Sequence, residues 1–474
     1  MSARVLLAAA ASWLMAGLWR LRCLDQVSIS SDSLGAFLAA WAARPGHLPM
    51  PPNPEAGFSL WVTAWPLVQM ATSLEQLFAL RFWQASLIAP LTLLATHRLT
   101  RDLRAAGCAA ALVALDSGLV DTLVSSFRGY GAPELLALAS LALAWTLPGR
   151  AVWLLLLPLI LIAASGQHPF ATGAALGGLA ALPWLLRAHH PRVLLLALVL
   201  GVLCCLPRLW WIQTMADCPG GSPLSCLSTI AWGSSEGALS RPQLLWRALL
   251  DRSTETSGAT LLLLAGVAAA LWHRRPSGAW AIGVLLGIIL LGLSVQSLRP
   301  YHLRIAAAPL ALAAAVGWLR MGRVGWAAAL LAVLLTATAP LPLGTPGALR
   351  QHDTLGRMLA DEAPAWVDAA WAEGPIQASP AGVALSAVLQ GAPAADLRPA
   401  PQRPVLILVS GLQHEDALFN GENGYVLHFS SLSAAQYWID STPSLQGAGV
   451  ARDWLAALFP GEPLPPLLTF GGDQ

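Results

Sequence analysis

Lysine is absent from the 474 residues, so every basic side chain is an arginine, and charged residues of either sign make up only 11% of the chain. The choice of arginine reads as codon usage, not chemistry. The scarcity of charge is more informative: with 56% hydrophobic residues and a mean hydropathy of +0.60, it excludes a soluble globular domain. A formal net charge of +2 leaves no electrostatic footprint for nucleic acid. The region after residue 342 also lacks a Gly-rich phosphate loop, a CxxC pair and a His pair at metal-ligand spacing. No internal repeat and no inverted pair of Gly/Pro-broken spans is present, which argues against the usual secondary transporter.

What the chain does have is a succession of apolar runs of bilayer length. The opening MSARVLLAAAASWLMAGLWRLR resembles a signal peptide, but no clear small-residue cleavage site follows it, so it reads as an uncleaved first span. Further runs lie at 76–96, 106–124, 132–148, 151–166, 170–187, 193–212, 257–272, 279–296, 303–319 and 324–341. They predict a polytopic α-helical membrane protein of about eleven transmembrane helices, residues 1–342. The short breaks carrying Arg98, Arg101 and Arg104, then Arg150, Arg187 and Arg192, Arg274 and Arg275, and Arg320 and Arg323 alternate to one side. By the positive-inside rule that side is cytoplasmic, with the N-terminus; the first loop, the 213–256 loop and the C-terminal region face outward. The stretch 56–71, short and broken by Pro66, reads as an interfacial or re-entrant helix, and Ser73 with Gln76 forms a capping-box pattern that opens the next one.

The first loop, residues 24–75, is long for a connection beside a membrane, as functional loops often are. Leu34, Phe37, Leu38 and Trp41 recur at helical spacing, which predicts a short helix lying on the membrane with Asp32 at its start. Asp32 reads either as a plain N-cap or as a catalytic base at the lipid–water boundary, and a capped carboxylate is well oriented for both. Asp25 and Glu55 are possible partners of Asp32 for a divalent metal ion, or simply solvated loop acids.

Past residue 342 the composition turns to Pro, Ala and charge, VLILVS at 405–410 reads as a buried strand, and an amphipathic helix closes the chain. Residues 343–474 thus predict a small exported α/β or α+β domain, read as an accessory or substrate-positioning unit. Cys23, Cys108, Cys204 and Cys205 lie in or at the ends of spans and act as small apolar side chains. Cys218 and Cys226 bracket a Pro/Gly-rich outward loop and read as a disulfide, the alternative being two free thiols.

The loop DSLGAFLAAWAARPGHLPMPPNPEAGFSLWVTAWPLV, followed by FALRFWQAS, resembles the GT-C glycosyltransferases that use polyprenyl-phosphate sugars, including the aminoarabinose and protein mannosyl transferases. SSFRGYGAPELLALASLALA at 125–144, SGQHPFATGAALGGLAALPWLL at 165–186 and RPYHLRIAAAPLALAAA at 299–315 are similar to further segments of that family. The resemblance spans the membrane part and implies a lipid-linked sugar donor and Asp32 in the acidic catalytic position. The chain departs from the pattern in carrying Ser33 where the family has a second acid and His168 where it has lysine.

Transfer from such a donor needs a base for the acceptor and a cation for the departing lipid phosphate, both at headgroup depth. Arg128, Arg299 and Arg304 are the outward candidates for the phosphate, because the guanidinium fork matches its oxygens, with His168 and His302 as weaker ones. Each has the plainer reading of an arginine reaching for the headgroups or a histidine at a helix break. Asp116 and Asp121 lie near the outer end of an apolar span, where charge is costly unless paired, and Arg128 is their expected partner; Glu134 follows as a further supporting acid. Two other readings stay open, a transporter and a catalytically silent scaffold on the same fold.

Overall fold

The computed structural model describes residues 2–27, 37, 60–121, 131–146, 151–185, most of 195–207, 240–294, 298–341 and isolated positions between 347 and 426, with backbone alone at 60–62, 121, 151–155 and 184. Among these residues the structure is almost entirely helical. A two-residue antiparallel pairing of β1 (Ile407–Leu408) with β2 (Tyr425–Val426) is the exception, and β1 falls within the run read as a strand. Apart from these four residues and isolated positions between 347 and 390, the expected exported domain lies outside the described residues.

Helix α1 (Ala3–Leu21) is the first apolar run. After a 3₁₀ turn at Leu24–Gln26 and the first loop come α2 (Leu60–Met70), α3 (Leu74–Ala85) and α4 (Ile88–Thr100). Then follow α5 (Leu103–Leu115), α6 (Ser117–Asp121), α7 (Ala132–Thr146), α8 (Ala151–Ser165) and α9 (Pro169–Leu185). The last group is α10 (Arg241–Glu255), α11 (Ala259–Trp272), α12 (Pro276–Ser294), α13 (Pro300–Arg304), α14 (Ala307–Arg320) and α15 (Arg323–Thr338). Among the described residues three helical stretches are long and apolar enough to cross a membrane: α1, the 27 residues Leu74–Thr100 formed by α3 and α4, and α12; α10 with α11 makes a fourth if that bent pair is one span. Six shorter apolar helices accompany them. Leu7, Met15, Leu159, Leu261, Leu290 and Leu330 are exposed on the outside of the bundle, as a lipid solvent permits.

Local chemistry sets the breaks. Ser73 caps α3 by accepting from the Gln76 amide at 3.1 Å, while the Gln76 side chain turns back to the Thr72 amide at 2.7 Å, so the expected break at Thr72 is there, with the return bond one residue earlier than in a standard capping box. Between α4 and α5, Arg101 adopts a left-handed φ of 60° and closes α4 on the His97 carbonyl, and Asp102 opens α5 by accepting from the amides of Arg104 and Ala105.

Without a hydrophobic driving force between helices in lipid, close packing needs small residues. Gly173 and Gly177 of α9 face Gly283 and Gly287 of α12, and a methyl on Gly177 would stand 1.9 Å from the Gly283 carbonyl oxygen. The same device joins α11 to α14, where a methyl on Gly317 would stand 1.9 Å from the Gly266 oxygen. Gly17 leaves room for the Trp83 ring, and Trp13 meets that ring edge-on with centroids 5.3 Å apart while donating to the Trp83 carbonyl.

The two ends of the bundle differ. At one, Arg98 lies over the Trp145 ring, and burial, with the neighbouring Arg320 guanidinium second, holds Arg275 below the ordinary arginine value. The other end collects the buried ionisable groups and carries a second hydrophobic core. That core joins Cys23, Val27 and Phe37 to α2, α3 and, from far along the chain, Leu349, Leu385 and Leu389.

Candidate functional site

The end of α5 and the short α6 build the centre of this polar region. Asp116 terminates α5 and, through Oδ1, accepts from the Gly118 amide at 2.9 Å, which turns the chain into α6. Arg252, from the last turn of α10, meets the Asp116 carboxylate with both Nη atoms, Nη1 at 3.0 Å from Oδ1, and also reaches Glu255 Oε2 at 3.0 Å. Arg304 at the end of α13 grips the same Glu255, Nε at 3.1 Å from Oε2 and Nη2 at 2.5 Å from Oε1. The result is two carboxylates interleaved with two guanidiniums, with Asp116, Arg252 and Arg304 each 5% exposed or less. Charges buried this deeply survive only when paired. Gly118 makes the meeting possible, since a methyl there would stand 2.2 Å from Arg252 Nη1 and 2.9 Å from Arg304 Nε.

A second buried pair joins α3 to α7. Arg81 Nη1 lies 2.7 Å from Glu134 Oε1 and 2.7 Å from Gln84 Oε1. Gln84 donates on to the Thr63 carbonyl at 2.9 Å, and Thr63 Oγ1 stands 3.0 Å from the fully buried Gln167 side chain. Between the two pairs sits Arg20, near the C-terminal end of α1 and 1% exposed, donating to Ser86 Oγ and to the Val113 carbonyl, both at 3.2 Å. Among the described residues no carboxylate is bonded to Arg20.

His168 and His302 meet over Phe170. The His302 ring stacks on Phe170 with centroids 3.4 Å apart, and the two imidazoles are 5.6 Å apart. Each accepts a backbone N–H at Nδ1, His168 from Phe170 and His302 from Arg299, which places the ring proton of the neutral form on Nε2. A cavity of ≈ 30 Å³ beside Asp116 and Arg252, walled mainly by Leu112, Val113, Leu303 and Leu310, has room for a water or two and none for a sugar.

The structure therefore brings Asp116, Glu134, Arg304, His168 and His302 to one end of the bundle, with Arg299 at the start of α13. Among the described residues Asp116 is partnered by Arg252; Arg128, its expected partner, lies outside the described residues. Arg304, read as a phosphate ligand, is engaged by Glu255. Asp25 stands 3.4 Å from Arg350, both more than half exposed, and its suggested co-ligands Asp32 and Glu55 lie outside the described residues. Among the described residues no group of three or more His, Cys, Asp or Glu side chains is placed to hold a metal ion, and no chemistry is assigned to one. Asp121 closes α6, its side chain undescribed; Asp32, Glu55, Cys218 and Cys226 lie outside the described residues. Cys23 and Cys108 are free thiols, Cys23 buried, and the buried Cys204 lies with its sulfur 3.9 Å from the Pro158 carbonyl oxygen.

Sequence reasoning passed over Arg20, Arg81, Arg252 and Glu255. An arginine deep in an apolar helix is itself a signal, and Arg20 carried it. Comparison with protein-family models finds none that matches the chain, and comparison with curated proteins finds no match.

Proposed function

We propose that the protein is an integral-membrane glycosyltransferase that moves a sugar from a polyprenyl-phosphate carrier to an exported lipid, glycan or protein acceptor. The observation that carries this reading is the collection of buried ionisable groups at the end of the bundle from which the first loop departs. Groups of that kind are costly in a membrane and are kept where a polar reaction is served. On this reading the chain has about eleven spans in a bacterial inner membrane, with the N-terminus in the cytoplasm and residues 343–474 outside. Asp32 serves as base toward the acceptor, and Arg128 and Arg299, aided by His168 and His302, hold the donor phosphate. Arg304 supports the site as part of the Asp116 network.

Incorporation of label from polyprenyl-phosphate sugars, measured in membranes containing the full chain, tests the reading. Asp32→Asn keeps the capping ability of the residue but cannot take a proton, so transfer should fall roughly 10²-fold or more while insertion is unchanged. Full activity in that variant returns Asp32 to a helix cap. A second reading, a silent scaffold on the same fold, is favoured by the mutual neutralisation of Asp116, Arg252, Glu255 and Arg304; it predicts no transfer from any donor in the wild type.

A further inference from the structure

Helix α10 differs from its neighbours in having two unlike faces. Leu244, Ala248 and Arg252, four residues apart, are buried against the bundle. On the opposite side Trp246 is 65% and Leu250 48% exposed, with Arg247 and Asp251 paired at 3.8 Å along their flank. Large apolar side chains alternating with charges suit neither bulk water nor a hydrocarbon interior.

The neighbouring helix fixes the depth. Ser257 and Gly258 take left-handed φ values of 49° and 88°, and α11 departs from α10 at 109°. Helix α11 is apolar throughout, with Leu261 64% and Trp272 85% exposed, a surface that belongs in lipid. A helix meeting the end of a lipid-embedded helix at about a right angle runs along the membrane boundary, and an indole held there has its apolar body and its N–H each in a suitable medium. Among the described residues of the exposed side the formal charge is positive, Arg241 and Arg247 against Asp251, while Glu255 is held by Arg252 and Arg304.

We propose that α10 is a membrane-surface helix whose Trp246 and Leu250 face rests among anionic lipid headgroups. Its bundle side carries Arg252 and Glu255, so the helix also fastens the buried ion network to the bilayer surface.

The test uses the full chain reconstituted in phosphatidylcholine vesicles with and without phosphatidylglycerol. Nitroxide labels at Trp246→Cys and Leu250→Cys, in a chain whose native cysteines are replaced, should be more accessible to oxygen than to an aqueous nickel chelate, at headgroup depth. Greater access to the chelate, or shielding from both reagents as under a second copy or a protein partner, overturns the proposal. If the labelled chains do not fold, the difference in quenching by shallow-brominated lipids between the native chain and Trp246→Phe reads the same contact, and equal quenching overturns it. The label at 246 should move deeper with phosphatidylglycerol, and Arg241→Gln with Arg247→Gln should abolish that movement; a movement that persists in the double variant overturns the assignment to anionic lipid.

Discussion

Asp353 caps a helix that begins 279 residues before it: its Oδ1 accepts from the Leu74 amide at 2.7 Å and its Oδ2 from the Glu75 amide at 3.1 Å. Ser386 donates to the same Oδ1 at 2.6 Å, and Gln390 donates to the Asp353 carbonyl at 2.8 Å. The Gly347 amide bonds the Asp25 carbonyl at 2.8 Å, so both flanks of the first loop are tied to the segment that follows the bundle. Asp353→Ala should therefore cost about 1–2 kcal/mol, as loss of a helix cap does, and Asp353→Asn less, because an amide oxygen still accepts. Apparent unfolding midpoints in detergent should rank native, then Asn, then Ala; equal midpoints would show the contact to be idle.

Asp116 and Arg252 supply the second prediction. Removing one partner leaves the other charge buried, so Asp116→Asn or Arg252→Met alone should destabilise by about 3–5 kcal/mol. The double variant should recover part of that loss, giving a clear coupling energy in a double-mutant cycle. Additive losses would mean that the two residues act separately.

Gly118→Ala should be badly tolerated, because the methyl is aimed at Arg252 Nη1, Glu255 Oε2 and Arg304 Nε together. Gly107→Ala is the matched control: it lies in α5 with nothing within 4 Å of the added methyl, and a helical Gly→Ala change there should stabilise by roughly 0.5–1 kcal/mol. The pair is checked by yield of folded protein and by unfolding midpoint, and similar behaviour of the two would contradict the packing around Gly118.

Reporter fusions after Arg104 and after Arg350 should report opposite compartments if the Arg-rich breaks are cytoplasmic. In the same topology Cys218 and Cys226 face an oxidising side, and thiol labelling at both should appear only after reduction. Labelling without reductant would count against the disulfide.

How much of this was legible in the sequence depended on distance along the chain. Ser73 and Gln76 announced the start of α3 because the cap is local, and apolar runs located α7, α8, α9, α11, α12, α14 and α15 to within about four residues at either end, whereas the run at 106–124 is broken at Asp116 into α5 and α6. Asp353 gave no such sign, since nothing in QHDTLG points to an amide pair nearly three hundred positions earlier. A partner for Asp116 was sought nearby, at Arg128, which lies outside the described residues; the partner that is described, Arg252, stands 136 positions away. Arg252 and Glu255 were overlooked for a further reason: α10 is too charged to count as a span, so a search for bilayer-length apolar runs leaves it in a loop. Buried ion pairs answer to three-dimensional proximity alone, which hydropathy does not encode.

The glycine seam between α9 and α12 has a mechanical consequence. With backbone pressed on backbone at Gly173, Gly177, Gly283 and Gly287, there is no layer of side chains to re-pack, so neither helix can slide or roll without the other. The two form one rigid stave of the bundle.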